Sequence, residues 1–61
     1  MLASYKSDLM TIKETQDYLN LKESKLRSMI FKDEIPYLKI GRLIRFRKEK
    51  LDEWLTSLDQ H

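Results

Sequence analysis

The chain has 61 residues, with 12 Lys or Arg, 10 Asp or Glu, one His, no Cys and a formal net charge of +2 at pH 7. This length allows one small domain, and the absence of Cys excludes disulfides and thiolate zinc sites. The single His, His61, excludes a His-rich metal site. No apolar run approaches the roughly 20 residues that span a bilayer, and the first ten residues lack an apolar signal segment. We therefore expect a cytoplasmic protein.

The positive charge is concentrated in one stretch of the chain. Residues 1–34 carry six basic and six acidic side chains, whereas residues 35–50 carry six basic side chains and one Glu. Residues 51–61 carry three acidic side chains and no Lys or Arg. A local excess of this density indicates an anionic partner, although a solvated charged surface fits the composition equally well.

The N-terminal part predicts a flexible arm followed by a short helix. Residues 1–9 show no hydrophobic period and are assigned to the arm, and residues 10–59 are assigned to the domain. Thr11 and Glu14 have the spacing of a capping box, so a helix is expected to start here. Asn20 is expected to end it in the left-handed conformation. One face of this helix carries Ile12, Thr15, Tyr18 and Leu19.

A second helix is predicted over residues 22–32, after a connection of about three residues. Leu26, Met29 and Ile30 form a narrow apolar stripe, and small polar and basic side chains lie outside it. Two short helices joined this tightly must cross at a steep angle, which is the helix-turn-helix arrangement.

A β-hairpin and a third helix are predicted to complete the domain. Pro36 ends the helical part, and strands over residues 37–40 and 44–47 flank a turn at residues 41–43 that contains the only Gly. Alternation along each strand predicts one apolar and one basic face. Residues 48–58 form the last helix, with Leu51, Trp54, Leu55 and Leu58 on one face.

The predicted fold is therefore mostly α with a β-hairpin wing, a small winged helix-turn-helix in the order helix, helix, hairpin, helix. Phe31 and Tyr37 are expected to be half-buried. The predicted core consists of Ile12, Leu19, Leu26, Ile30, Leu38, Ile40, Phe46, Leu51, Trp54 and Leu55.

The exposed residues of the second helix and the hairpin are the candidate contacts to double-stranded DNA. In a helix-turn-helix the second helix enters the major groove, and a basic hairpin beside it reaches the backbone or the minor groove. The alternatives are a solvated helix face and an edge strand protected by charge. The candidate contacts are Lys22, Ser24, Lys25, Arg27 and Ser28 on the helix and Lys39, Arg42, Arg45 and Arg47 on the wing.

Catalysis is not predicted. The sequence offers no Gly-rich phosphate loop and no convergent acid, base or nucleophile. Neither a cofactor nor a metal is expected, and the chain is predicted not to be an enzyme.

Residues 10–58 contain five segments with a shared pattern: Met10–Glu14, Tyr18–Leu21, Ile35-Pro36 with Lys39–Gly41, Arg45–Glu49 and Leu51–Leu55. In this pattern the chain resembles the excisionase-type, MerR-like winged helix-turn-helix family. Four positions depart from it. Lys22 replaces the usual Ser or Thr cap of the second helix, and Asp33 replaces a frequent Gly. Thr15 and Gln16 stand in the first helix where Ala is usual.

The resemblance implies binding of double-stranded DNA through the second helix and the wing. Excisionases bind near attachment sites, often cooperatively, bend the DNA and bias a recombinase toward excision. The same domain also serves as a transcriptional regulator or as an accessory interaction subunit in plasmid or mobile-element replication and partition. A recombinase or replication protein and further copies of the chain are therefore possible partners. The implied DNA contacts are Lys25, Arg27, Ser28, Arg42 and Arg45.

Overall fold

The computed structural model describes residues 8–59, and the predicted fold class is confirmed. Two helices, a hairpin and a third helix follow one another in the expected order, and one additional short strand precedes them. The elements are β1 (Leu9–Met10), α1 (Ile12–Leu19), α2 (Glu23–Phe31), β2 (Leu38–Ile40), β3 (Leu43–Arg47) and α3 (Lys48–Leu58).

The strand β1 has no counterpart among the predicted elements. Leu9 and Met10 pair with Arg47 and Phe46 of β3, so Leu9 belongs to the sheet and not to an arm. The backbone carbonyl of Asp8 also accepts a hydrogen bond of 3.1 Å from the amide of Lys48. The rest of the predicted arm lies outside the described residues.

The predicted ends of α1 are confirmed. The Thr11 hydroxyl accepts from the amide of Glu14 at 3.1 Å, and the Glu14 carboxylate accepts from the amide of Thr11 at 2.8 Å. Asn20 ends the helix with φ 57° and ψ 49°, in the left-handed region. Because only Asn20, Leu21 and Lys22 separate α1 from α2, the two helices form the tight helix-turn-helix unit.

The helix α2 starts without a side-chain cap and ends in a Schellman motif. Its N-cap residue, Lys22, makes no capping hydrogen bond, as its side chain predicts. At the other end the amide of Glu34 donates to the carbonyl of Met29, and the amide of Asp33 donates to the carbonyl of Ile30. Asp33 has φ 56°, a conformation in which Gly is the usual residue.

The register of the sheet overturns the predicted faces of the hairpin. The strand order is β1-β3-β2, all antiparallel, and the turn contains two residues, Gly41 with φ +62° and Arg42, in place of the predicted three. Residues directly opposite each other share a face, and a shift of one residue moves a strand's side chains to the other face. The pairs are Leu38 with Arg45, Lys39 with Ile44 and Ile40 with Leu43.

The two faces of the hairpin are therefore each mixed, and the predicted separation into an apolar and a basic face is wrong. Lys39 shares the inner face with Ile44 and Phe46, which pack on the helices. The outer face carries Leu38, Ile40, Leu43, Arg45 and Arg47.

The core is smaller than predicted. Three of the predicted core residues, Leu26, Phe46 and Leu51, are fully buried, and Ile35 and Thr15 join them. Ile35, which precedes Pro36, packs in the buried cluster with Leu26, Phe46 and Leu51. Five other predicted core residues are half-buried: Ile12, Leu19, Ile30, Leu38 and Trp54.

Three expectations about apolar side chains are wrong. Ile40 is 51% exposed because the register places it on the outer face of the sheet, in the last strand pair before the turn. Leu55 is 36% exposed because α3 buries Leu51 near its start and becomes progressively exposed toward its C-terminal end. Phe31, expected to be half-buried, is 89% exposed at the end of α2, whereas Tyr37 is half-buried as expected.

Candidate nucleic-acid interface

The outward face of α2 consists of small polar, basic and aromatic side chains. Leu26 is buried on the opposite side, and helical geometry aligns residues three, four and seven positions apart on one face. Ser24, Arg27 and Phe31 are exposed here, and Ser28 is half-buried. Lys25 is exposed on the flank of this face.

Phe31 is the member of this face that the sequence-based set omits. It follows Ser24 by seven residues and Arg27 by four, which places it on the face they form. Phe31 also follows Leu26 by five residues, a spacing that places it away from the buried stripe of the helix. The signal was therefore present in the sequence, in the same helical spacing that identifies the other members.

An intrahelical ion pair engages one predicted contact, Arg27. Its Nε donates to Oε2 of Glu23 at 2.7 Å, and both side chains are more than half exposed. An exposed pair at this spacing stabilises a helix by only about 0.3–0.5 kcal/mol. Arg27 is therefore held weakly and must exchange one carboxylate for any phosphate that it binds.

The four basic residues of the wing lie in different environments. Lys39 and Arg42 are exposed, with Arg42 in the turn. Arg45 is half-buried, and one of its terminal nitrogens donates to the carbonyl of Ile44 at 2.8 Å. Arg47, the residue before α3, lies 3.8 Å from the carboxylate of Asp8.

Ion pairing divides the basic residues of the described chain into two groups. Every Lys or Arg of α1 and α3 within residues 8–59 is paired with a carboxylate: Lys13 with Asp17, Lys48 with Asp52 and Lys50 with Glu53. In the same range, Arg27 and Arg47 are the other paired cations. Six described cations form no ion pair, and all of them lie between residues 22 and 45: Lys22, Lys25, Lys32, Lys39, Arg42 and Arg45.

The most connected polar cluster lies outside the predicted interface and joins α1 to α3. The Tyr18 hydroxyl donates to Asp52, and Lys48 lies 3.1 Å from the same carboxylate and 5.0 Å from the centre of the Tyr18 ring. The Tyr18 hydrogen bond, followed by that of Lys48, lowers the pKa of Asp52 below its ordinary value. The hydrogen bond to Asp52 raises the pKa of Lys48. This cluster ties the last helix to the helix-turn-helix unit.

The described part of the chain contains neither a metal-binding cluster nor a membrane-spanning helix. No three His, Cys, Asp or Glu side chains within residues 8–59 come together in a way that would hold a metal ion. In the same range, no helix has both the length and the apolar character needed to cross a membrane.

Comparison with known families agrees with this geometry. The family model of the helix-turn-helix domain matches residues 9–59, which is most of the chain and includes all six elements. The chain belongs to the helix-turn-helix domain family and is a DNA-binding protein. No curated protein and no solved structure matches it significantly.

Proposed function

We propose that the chain binds double-stranded DNA with the outward face of α2 in the major groove and the hairpin wing on the adjacent backbone and minor groove. In this arrangement Ser24, Lys25 and Ser28 approach base edges and phosphates from α2. Arg42 reaches the minor groove from the turn, where arginine is favoured by the negative potential.

The distribution of unpaired cations is the observation that carries this proposal. An exposed Lys or Arg without a carboxylate partner binds a phosphate and releases a condensed counterion, which is a favourable contribution to DNA binding. A cation that already has a carboxylate partner loses that partner on binding. The six unpaired cations all lie on or beside α2 and in the wing, so the surface best suited to phosphates coincides with the helix-turn-helix geometry.

Phe31 extends the proposed α2 surface beyond the basic residues. Apolar side chains in the major groove contact the methyl group of thymine. We assign this role to Phe31 because it is the most exposed aromatic ring in the described chain and shares its face with Ser24 and Arg27.

The proposed biological role is that of an excisionase-like factor of a mobile element. The residue pattern of the excisionase-type family supports this role. A transcriptional regulator built on the same domain would use the same DNA surface. In either role the protein acts beside DNA in the cytoplasm.

The DNA-binding surface is tested by the salt dependence of binding to a fluorescent duplex, measured by anisotropy. We expect Arg42→Ala and Lys25→Ala each to reduce the slope of log K against log salt by about 0.9, the value of one phosphate contact. Lys13→Ala is the matched control, because it removes the same charge from an exposed cation of α1 that is paired with Asp17. Equal effects of all three variants, or binding that does not depend on salt, would contradict the proposed surface.

The biological role is tested by footprinting on DNA from the protein's own genomic neighbourhood. Regularly spaced protected sites beside a recombinase attachment site would support the excision role. Protection over a promoter would support regulation, and protection within a replication origin would support a replication accessory role.

A second candidate function is that of an interaction subunit in a replication or partition complex. The observation that favours it is the exposed end of α3, where Leu55 and Leu58 are 36% and 45% exposed beside the carboxylates of Asp52 and Asp59. Capture of a replication or recombination protein that is lost in Leu58→Ser, together with negligible duplex binding by the isolated chain, would favour this function over DNA binding.

A further inference from the structure

We infer that the tip of the wing is an apolar wedge that enters the minor groove and bends the duplex. The wedge consists of Ile40 and Leu43, with Arg42 between them in the turn. This inference rests on the proposed DNA binding and assigns a bending role to residues that the sequence places in the core or in the turn.

The first observation is that two aliphatic side chains are exposed side by side at the end of the hairpin. Ile40 and Leu43 are direct cross-strand partners, and they are 51% and 53% exposed. They share the outer face of the sheet, away from the buried Phe46. Packing within the described domain therefore does not account for their apolar character.

The second observation is the charge around this pair. Residues 39–45 contain three Lys or Arg residues, Lys39, Arg42 and Arg45, and no Asp or Glu. Arg42 lies in the turn, and Arg45 shares the outer face with Leu43. Neither arginine is ion-paired within the described chain. The tip is thus apolar on its outer face and surrounded by cations. A surface that binds it must combine negative charge with apolar groups.

The minor groove of DNA meets both requirements. The groove is about 6 Å wide, which is too narrow for a two-stranded ribbon but admits the aliphatic side chains at the end of the hairpin. Phosphates line the rims, where they meet the arginines. Minor-groove proteins insert Ile, Leu or Phe between base steps, which unstacks them and kinks the duplex by about 20–90°. An acidic protein surface also carries negative charge. DNA is the better partner because the duplex that α2 is proposed to bind presents its minor groove next to the same phosphates.

The test measures bending and binding separately on the same duplex. The probe is a duplex of about 30 base pairs with a central, easily unstacked TA step and a fluorescent dye at each end. We expect the wild-type chain to increase energy transfer between the dyes and to make thymines at the central step reactive to permanganate. Ile40→Thr/Leu43→Thr places β-branched residues, which favour strands, at both positions and leaves the charge unchanged. We therefore expect the slope of binding against salt to be unchanged while both bending signals fall by at least half.

Leu58→Thr is the matched control, since it alters a leucine on α3 that is 45% exposed, and it is expected to leave bending unchanged. Circular dichroism establishes that the double variant is folded, and Leu43→Thr alone replaces it if it is not. The inference is overturned if the wedge variant bends the duplex as the wild type does, or if the wild type binds without bending. Absence of duplex binding by the wild type would instead overturn the proposed function.

Discussion

Replacement of Thr15 by Val is expected to stabilise the domain, because it removes a buried polar atom that has no partner. Thr15 is fully buried on α1, and its hydroxyl oxygen forms no hydrogen bond with any described residue. An unsatisfied buried hydroxyl costs about 1–3 kcal/mol, and Val replaces it with a methyl group of similar size. Thr and Val have similar helix propensities. The free energy of unfolding should therefore rise by about 1–2 kcal/mol.

The measurement is urea denaturation followed by far-ultraviolet circular dichroism, supported by thermal unfolding. The midpoint should rise with an unchanged dependence on urea, and the melting temperature should rise by about 4–8 °C for each kcal/mol in a domain of this size. Thr15→Ser is the control, because it keeps the hydroxyl and removes the buried methyl, and it should lower stability by about 1 kcal/mol. A Val variant no more stable than the wild type would refute the reasoning and show that the hydroxyl is satisfied in solution.

Three further substitutions test other features of the structure. Glu23→Gln releases Arg27 from its carboxylate, so the salt slope of duplex binding should steepen by about 0.9 in the anisotropy assay, and an unchanged slope would remove Arg27 from the interface. Asp33→Gly relieves a left-handed residue and should raise the free energy of unfolding in urea by about 1 kcal/mol. The pKa of Asp52 is lowered in the folded state, so its ionised carboxylate stabilises the fold at any pH above the ordinary pKa of 3.8. This contribution is lost as the pH falls through the pKa of the folded state. Tyr18→Phe should therefore lower the urea midpoint at pH 7 and make that midpoint fall less on acidification. Parallel acid profiles for the Tyr18→Phe variant and the wild type would contradict that assignment.

The helical half of the fold follows from local signals. Thr11 and Glu14 cap α1 through bonds between neighbours in sequence, and Asn20 ends the helix by its own backbone preference. Such interactions do not depend on the rest of the chain, so residue type and spacing suffice to predict them. The buried positions of Leu26 and Leu51 follow from helical periodicity in the same way.

The hairpin illustrates what spacing alone leaves open. Turns of two and three residues are both compatible with the single Gly41, and the choice decides which side chains share a face. The two-residue turn places Ile40 opposite Leu43 and separates Lys39 from Arg45. The short strand β1 was equally inaccessible, because two residues carry no detectable alternation and depend on pairing with β3.

The contact between Asp8 and Lys48 makes the first and last elements of the domain dependent on each other. Helix α3 begins after Arg47, which offers no side-chain cap, and the Asp8 carbonyl supplies a partner for the first of its free amides. Removing residues 8–10 would therefore uncap a helix that begins at the far end of the sequence. The amide of Lys48 should exchange its hydrogen faster whenever β1 detaches from β3. Hydrogen exchange at this one amide therefore reports whether β1 is paired.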